Sequence, residues 1–498
     1  MKKNARRPKR HSKFGDQCVL TLILAGTATL AYGQQAGTAV VQPPRGDPNS
    51  TLDANVPRGF TVAATGDLII HLPISEEAIP AMQSIFAILR NATVRIGNFE
   101  GTAIDIRQFG GTCQAENGGA CIIDLPSVPR DVKRMGFNLM ERANNHAMDW
   151  GLSGMEETDS RLDEAGLIHA GTGSDLSAAC APSVLDTPMG QVALVSTASS
   201  FTPMSRAMDP TADTRGRPGV CALRTAVSTV VPARIFEQLK RASDELESAK
   251  KEAGMFAFGI PPEERQPKSK NVVDLNGVTF RRGDHFELSY RMNPADLREI
   301  LRSVRQGKET SDFLIATVHC HQPGNWSQRA PDFLVELAHD AIDQGADEFI
   351  AQGPHQLRGI EIYKGKPIFY SLGNFVFQNL LLAPADRDYY SSFHMNPAAS
   401  TDEELDYALT KRGFWNPIWF QSVVAVSKFE HDRLVEIDLY PIDLGFKRAG
   451  PEFGNPQLAP PAEARAILER LQRLSRPYHT VIEITNGVGV IKLNSRGT

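Results

Sequence analysis

Several short segments of this sequence place a potential metal-binding side chain directly after an apolar run. Carboxylate oxygens, amide oxygens and imidazole nitrogens are the usual protein ligands of divalent cations. Taken singly, each has a simpler interpretation, as a turn former, a helix cap or a solvated charge. Their repeated occurrence at strand ends therefore carries the prediction of a divalent-metal site. The residues are Asp67, Glu100, Asn144, Asn145, His146, His319 and His355.

Such a site needs strands that are distant in sequence to end at one edge of a sheet. Apolar strands alternate with amphipathic helices along this chain, which is typical of crossover units and a largely parallel sheet. In open α/β sheets the ligand crevice lies at the carboxyl ends of the strands. We expect strands at 60–70, 92–98, 137–143, 191–196, 313–318 and 348–351. We expect helices at 76–90, 156–165, 294–305, 331–344 and 462–474, and a short helix that ends at Met135.

The remaining segments differ in regularity. Residues 359–363 and 367–370 flank a Lys-Gly-Lys turn, the pattern of a hairpin, and 423–429 with 434–440 suggests a further antiparallel pair. Residues 202–285 have little periodicity. Within them, 253–270 combines glycine, proline and clustered charge, which is typical of a surface insertion.

Longer motifs surround the candidate ligands, and together they carry a family resemblance. They are Gly66-Asp67, Asn98-Phe99-Glu100, Ala-Asn-Asn-His-Ala-Met-Asp-Trp-Gly at 143–151, Gly-Pro-His at 353–355 running on to 363, and Tyr-Ser-Leu-Gly-Asn-Phe at 370–375. These motifs resemble the CapA family of capsule or poly-γ-glutamate synthesis, over a motif core at 60–380. The resemblance implies an α/β fold, a metallophosphoesterase-like β-sandwich flanked by helices, as in calcineurin-like proteins. Strands and a helix at 415–498 would complete one domain, 59–498.

The resemblance also implies roles for the candidate residues. A centre of two divalent ions, with Mn, Fe, Zn and Mg not distinguished, would be held by Asp67, Glu100, Asn145, His319 and His355. His146 would be a catalytic residue that is not a ligand, and it would protonate a leaving oxygen or stabilise charge. Asp149, three residues further on, would orient its imidazole. Two cations can activate a water and clamp both oxygens of a phosphoryl transfer.

The sequence departs from the family pattern next to His355. Related members commonly place a histidine just before the Pro-His pair, where this chain has Gln352 and Gly353. Gln352 is a weak neutral ligand. His321 could replace the missing imidazole, because residues two apart share a strand face, although Gln-Pro-Gly at 322–324 suggests that the strand is ending. Asn374 is a further possible ligand.

The N-terminus has the features of an export signal. A basic segment at 2–13 precedes a mostly apolar run at 18–31, and small residues at 31–33 suggest cleavage. The sequence therefore predicts a signal peptide at 1–33 and a flexible leader at 34–58. A retained anchor is the alternative, so that the chain is expected to be periplasmic, extracellular or tethered outside the cytoplasmic membrane.

The formal charge of the whole chain is −5, and loss of the basic N-terminus would make the rest more acidic still. An acidic protein is a poor candidate for binding nucleic acid or an anionic membrane, so membrane contact is expected only through an uncleaved signal segment. An anionic substrate stays possible, because a bound cation reverses the local field.

Cysteine usage fits an oxidising compartment. Cys113 and Cys121 flank a Gly-rich stretch and could form a disulfide, and Cys180 could pair with Cys221. Cys320 would then be left over. Free buried thiols are the alternative for all of them.

Two functions remain open at this point. One is a metal-dependent hydrolase, phosphoesterase-like, that acts on a phosphoester or an envelope polymer. The other is a non-catalytic accessory of polymer synthesis or export, which binds an anionic envelope polymer and other synthesis components. A carbohydrate-binding module is disfavoured because the aromatic residues form no stacking row, and Trp150 and Trp326 are interpreted as wall packing.

Overall fold

The computed structural model describes residues 53–76, 79–114, 121–252, 269–378, 387–448 and 452–493. These residues belong to one compact unit, Asp47–Thr498. The predicted signal at 1–33 and most of the predicted leader at 34–58 lie outside the described residues. The end of that leader is packed against the folded domain, because Ala54 and Val56 are buried in the main hydrophobic core. None of the helices in the described ranges is long and apolar enough to cross a membrane.

The strands are short to medium in length and follow one another closely. In chain order they are β1 (Phe60–Ile69), β2 (Val94–Phe99), β3 (Leu139–Glu141), β4 (Ile168–Ala170), β5 (Thr172–Gly173), β6 (Ser183–Thr187), β7 (Gly190–Ala198), β8 (Gly219–Val220), β9 (Thr225–Pro232), β10 (Val272–Leu275), β11 (Val278–Gly283), β12 (Glu287–Met292), β13 (Phe313–His319), β14 (Glu348–Gln352), β15 (Ile360–Tyr363), β16 (Lys366–Phe369), β17 (Asn374–Phe377), β18 (Gln421–Glu430), β19 (Arg433–Asp443), β20 (Gln457–Leu458), β21 (Glu483–Thr485) and β22 (Val488–Lys492).

Among the described helices, the first three and the seventh each connect two neighbouring parallel strands. In chain order the described helices are α1 (Pro80–Arg90), α2 (Val128–Met135), α3 (Gly151–Glu164), α4 (Leu176–Cys180), α5 (Ala233–Glu252), α6 (Pro294–Glu309), α7 (Asp332–Asp343), α8 (Arg387–Ser392), α9 (Asp402–Leu409) and α10 (Pro461–Ser475).

Two large sheets pack face to face. The first has the order β21-β22-β19-β18-β1-β2-β3-β4, with β17 also paired to β1 and β20 to β19, and the second has the order β15-β16-β14-β13-β7-β6. Their inner faces share one apolar core. Phe313 of the second sheet lies 4.9 Å, between ring centroids, from both Phe60 and Phe429 of the first.

Helices cover the outer faces of this sandwich. Apolar residues of α1, α2 and α3 pack on the outer face of the first sheet, where Phe86 and Val132 join Phe99 and Phe137. Helices α6 and α7 cover the second sheet through Val304 and similar residues. The architecture is therefore an α/β protein with a β-sandwich flanked by helices, as the family resemblance implies.

Most predicted elements are present, with shifted ends. Helix α1 begins at Pro80 rather than at 76, because proline is favoured in the first turn and holds the preceding Ile79 in an extended conformation. Helix α3 begins at Gly151 rather than at 156, immediately after the Asn-Asn-His turn. The predicted hairpin is present as β15 and β16, and the predicted antiparallel pair as β18 and β19.

The stretch 202–285 is more regular than its weak periodicity suggests. This stretch contains α5 and most of a separate four-stranded sheet of order β10-β11-β9-β12. Its small core joins Val231, Phe236 and Val273, and most of the remaining strand residues are half-buried or exposed. Strands that bury so little apolar surface give a weak alternation signal. Most of the insertion predicted at 253–270 lies outside the described residues.

Both predicted disulfides are present. Cys113 is bonded to Cys121, and Cys180 is bonded to Cys221. Cys320 is a free, buried cysteine, as expected for the residue left over. The first bridge closes the loop that follows β2, close to the candidate site.

Candidate metal centre

The strand ends that carry the candidate ligands meet at one edge of the sandwich. In the first sheet, Asp67 of β1 is in register with Asn98 of β2 and Asn374 of β17. In the second sheet, His319 of β13 is in register with Gln352 of β14. Asp67, Asn98, His319 and Gln352 lie at or near the carboxyl ends of their strands, as predicted from the sequence, whereas Asn374 is the first residue of β17.

Two carboxylates lie at the centre of this edge, and both are fully buried. Asp67 Oδ1 accepts a hydrogen bond from Asn98 Nδ2 at 2.8 Å, and Oδ2 accepts one from the Gly353 N–H at 3.2 Å. Neither oxygen of Glu100 has a hydrogen-bond partner among the described residues. A buried carboxylate without partners is costly unless a cation or proton compensates it.

The imidazoles surround these carboxylates. His319 Nε2 lies 3.6 Å from Glu100 Oε1, and His355 Nδ1 lies 3.3 Å from Asp67 Oδ2. His321 Nε2 lies 3.0 Å from His319 Nε2 and 3.3 Å from Asn145 Oδ1.

Two overlapping ligand groups result from this arrangement. Potential ligand atoms of Glu100, His319 and His321 lie within 4.8 Å of one another, and so do those of Asp67, Glu100 and His355. Glu100 is common to both groups. The described residues therefore offer two overlapping groups of potential ligands that share one carboxylate.

The pKa shifts of the carboxylate and imidazole side chains would favour a bound cation. Burial, with the nearby Asp67, Asp149 and Glu141 carboxylates, raises the pKa of Glu100 well above its usual value. Burial and the neighbouring His321 hold the pKa of His319 well below its usual value. Burial lowers the pKa of His321 to about 3. Neutral imidazoles present lone pairs at neutral pH, and mutual repulsion among carboxylates is relieved by a positive charge.

The three side chains that could compensate for the missing histidine have different surroundings. The His321 side chain reaches the centre although β13 ends at His319, because the Cys320 N–H still bonds to Gln352 O. Gln352 is turned inward, and its Nε2 donates to Thr65 O at 2.6 Å. Asn374 Oδ1 lies 3.0 Å from His355 Nδ1, and Asn374 Nδ2 donates to the His355 carbonyl, so that this side chain orients the imidazole.

Hydrogen bonds of the Asn144 side chain fix the Asn-Asn-His turn. Asn144 Nδ2 donates to Asn98 Oδ1 at 2.9 Å, and Asn144 Oδ1 accepts the His146 N–H at 3.1 Å. His146 Nδ1 lies 2.7 Å from Asp149 Oδ2, and its Nε2 lies 3.9 Å from Glu100 Oε1. Asn144 is thus a scaffold, while His146 faces the carboxylate that both ligand groups share.

Two residues of this centre were not predicted from the sequence. Asn98 Nδ2 lies 3.0 Å from His319 Nδ1 while it also donates to Asp67, so that Asn98 connects ligands of both sheets. Glu141, fully buried at the end of β3, lies in register with Asn98. Burial and the Asp67 charge raise its pKa well above the usual value. The rule that identified Asp67, a polar residue at a strand end, would have identified both.

The two tryptophans near the centre differ. Trp150 is buried and packs edge-on against Phe109 at 5.8 Å, as wall packing requires. Trp326 is 62% exposed and contacts Trp419 edge-on at 4.8 Å, so that much of the Trp326 ring is open to solvent. It follows Asn325, whose Oδ1 lies 2.6 Å from His321 Nδ1.

The fold and site define a class: β-sandwich proteins of α/β type with a buried carboxylate and imidazole centre at one edge. Within it, the chain belongs to the family described as bacterial capsule synthesis protein PGA_cap, whose model matches residues 61–379.

Individual proteins are also similar to this chain. An uncharacterized protein of Sinorhizobium fredii, y4sH, is 44% identical over 457 residues, which cover 90% of this chain and 96% of that protein. The PGA biosynthesis protein CapA of Bacillus subtilis is 37% identical over 84 residues, 17% of this chain and 22% of that protein. A 5'-nucleotidase precursor of Thermus thermophilus aligns with 83% of this chain and 58% of its own, at 10% identity and a TM-score of 0.29. A TM-score this low carries no argument about activity.

Proposed function

We propose that this chain is an exported protein of capsule or poly-γ-glutamate synthesis with a metal-dependent hydrolase site of phosphoesterase type. The observation that carries the hydrolase proposal is the position of Glu100. Its carboxylate is fully buried, has no hydrogen-bond partner among the described residues, and belongs to both ligand groups. Glu141 and Glu348 share this burial and lack of partners, but neither of them belongs to a ligand group of the described residues.

The donor set fits hard or borderline divalent cations. Asp67, Glu100, Asn145, His319, His321 and His355 would hold them. When bound, the ions would supply Lewis acidity and neutralise the charge of a phosphoester. Softness does not choose among Mn, Fe, Zn and Mg, because carboxylate, amide and imidazole ligands suit all of them.

The chain's own residues supply the proton chemistry. Asp149 Oδ2 faces Nδ1 of His146, which keeps that nitrogen protonated and leaves Nε2 directed to the side of Glu100. A protonated His146 would donate from Nε2 to the leaving oxygen, and the Asp149 carboxylate would stabilise the imidazolium.

A second function has one specific observation in its favour. This chain has no imidazole at positions 352 and 353. Gln352, whose Nε2 donates to Thr65 O, offers in its place only a neutral amide oxygen, which has no hydrogen-bond partner among the described residues. A centre with fewer imidazoles holds cations less tightly. A cation that binds a polyanion without catalysing its hydrolysis would suit an accessory of polymer synthesis or export.

Metal analysis combined with a phosphodiester assay distinguishes the two. The full chain would be loaded with Mn²⁺ or Zn²⁺, analysed for bound metal and assayed with bis(p-nitrophenyl) phosphate, beside His146→Ala and the control His285→Ala. His285 is an exposed histidine that contacts Glu287. The hydrolase proposal expects bound metal in all three proteins and hydrolysis lost only in His146→Ala. Bound metal with equal rates in all three would reject the hydrolase and favour the accessory.

A further inference from the structure

A cleft of about 790 Å³ lies beside the metal centre, and the proposed hydrolase chemistry does not use it. Its walls come from the segment after β1, the loop at 104–108 and the segment 123–126. Leu72, Ile106 and Leu125 line it and are 44%, 44% and 47% exposed. Large apolar side chains left open to solvent on the walls of one cleft mark it as a binding surface.

The cleft also contains two buried polar side chains, each with one atom that has no partner among the described residues. His71 and Asp124 line it and are 3% and 1% exposed. His71 Nδ1 lies 2.9 Å from Ile123 O and 3.0 Å from Asp124 Oδ1. Both neighbours are acceptors, so that Nδ1 carries a proton, and Nε2 has a free lone pair when the ring holds only that one proton. That Nε2 is shielded from solvent and has no partner among the described residues.

One cation lines the same cleft. Arg107 is exposed, and its guanidinium makes no hydrogen bond or ion pair with the described residues. The loop that carries it is fixed, because Asp105 Oδ1 accepts the Arg107 N–H at 3.2 Å and Glu157 Oε1 accepts the Asp105 N–H at 3.0 Å. The disulfide between Cys113 and Cys121 cross-links the chain between this loop and the segment 123–126. The cleft is therefore preformed.

We propose that this cleft is a second binding site, for an amide that carries a carboxylate a few methylene groups away. The guanidinium of Arg107 would take the carboxylate, and the methylene groups would lie on Leu72, Ile106 and Leu125. An amide N–H would donate to His71 Nε2, a buried acceptor without a partner among the described residues. A segment of γ-linked glutamate has this chemistry, and that choice of ligand rests on the proposed function.

The cleft floor is connected to the candidate catalytic histidine. The Asp124 N–H donates to Thr102 O at 2.8 Å, and Thr102 Oγ1 donates to His146 O at 3.3 Å. Two residues before Asp124, the Ile122 N–H holds Asp149 Oδ2 at 2.8 Å. A polymer held in the cleft would thus lie next to the residues that orient His146, which suits a subsite for a long substrate.

Calorimetric titration of the full chain with a γ-linked glutamate trimer tests the site. We expect binding to the wild type, and about tenfold weaker binding to Arg107→Gln because a charge-assisted hydrogen bond is lost. Ile106→Ser should weaken binding as well, and both positions are exposed enough for the variants to fold. The control Arg215→Gln changes an exposed arginine that does not line the cleft and should bind as the wild type does.

Two further measurements make the test sharper. His71→Asn keeps a hydrogen-bond donor to Asp124 close to the position of Nδ1, so that this variant should fold. It lacks Nε2, and it should therefore bind the trimer more weakly. The trimer with its carboxylates methylated should not bind. No binding to the wild type, equal binding of the methylated trimer, or binding unchanged in Arg107→Gln would overturn the inference.

The proposal of a second site in the cleft and the proposal of a hydrolase can be rejected independently of each other. Trimer binding should persist in protein stripped of metal by a chelator and in Glu100→Gln. Binding that vanishes in both would place the ligand at the metal centre and overturn the second site. Cleft binding without any phosphodiester hydrolysis would reject the hydrolase and leave this inference in place.

Discussion

His146 Nδ1 lies 2.7 Å from Asp149 Oδ2, deep enough that the carboxylate is fully buried. Burial raises the pKa of Asp149, and the nearby His146 opposes that rise. The same oxygen accepts the Ile122 N–H at 2.8 Å, so that the carboxylate is fixed from two sides. A carboxylate held in this way orients an imidazole and sets which nitrogen carries the proton.

Asp149→Asn should therefore slow hydrolysis without releasing metal. The amide keeps the size of the side chain but loses the charge that stabilises imidazolium, and loss of such a partner typically costs about 10- to 100-fold in activity. Bound metal and bis(p-nitrophenyl) phosphate hydrolysis would be measured together. Asp163→Asn is the matched control, because Asp163 contacts the outlying His169 at 3.3 Å. Equal rates in the two variants would contradict the role of Asp149.

Glu100→Gln should lower bound metal and, in metal-free protein, raise stability. The wild-type carboxylate has no partner among the described residues and lies near Asp67, Glu141 and Asp149, so that its ionisation opposes folding unless a cation is present. The thermal midpoint at pH 8 would be compared with and without a chelator. A chelated variant that is no more stable than the chelated wild type would contradict this account of Glu100.

Much of the centre could be predicted because its residues follow a positional rule. Asp67, Glu100 and His319 come at the ends of apolar runs, and parallel strands bring such ends together. The position of His321 could not be decided, since it depends on the Cys320 N–H continuing the ladder to Gln352 O. The small sheet at 202–285 was missed because its strands bury little apolar surface. The cleft at His71 depends on tertiary contacts that no local pattern encodes.

Trp326→Ala should weaken binding of aromatic or ring-bearing substrates without changing stability. The Trp326 ring is 62% exposed beside the segment that holds His321, so that removing it loses little packing. Stacking on an open aromatic ring acts on binding, and we expect a higher KM with kcat nearly constant. Steady-state kinetics with bis(p-nitrophenyl) phosphate would show this. A fall in kcat with unchanged KM would mean that the tryptophan supports the centre and does not bind substrate.

Glu348 predicts how the stability of the sandwich depends on pH. It lies fully buried on β14, facing the Ser427 hydroxyl of the opposite sheet, and burial raises its pKa to about 8. In the unfolded chain a glutamate titrates near pH 4.5, so that between these values the folded state binds more protons. This contribution to stability is fully present below pH 4.5 and is lost as the pH rises through 8, by at most about 5 kcal/mol.

Glu348→Gln should remove that dependence, because the amide stays neutral at every pH. Chemical denaturation at pH 6 and pH 9 would compare the wild type, Glu348→Gln and the control Glu336→Gln, which changes an exposed glutamate of α7. We expect the free energy of unfolding to fall between the two pH values in the wild type and the control. In Glu348→Gln the fall should be smaller, and the variant should be the most stable of the three at pH 9. A parallel decline in all three proteins would show that Glu348 ionises in the folded state at little cost, with water or Ser427 compensating its charge.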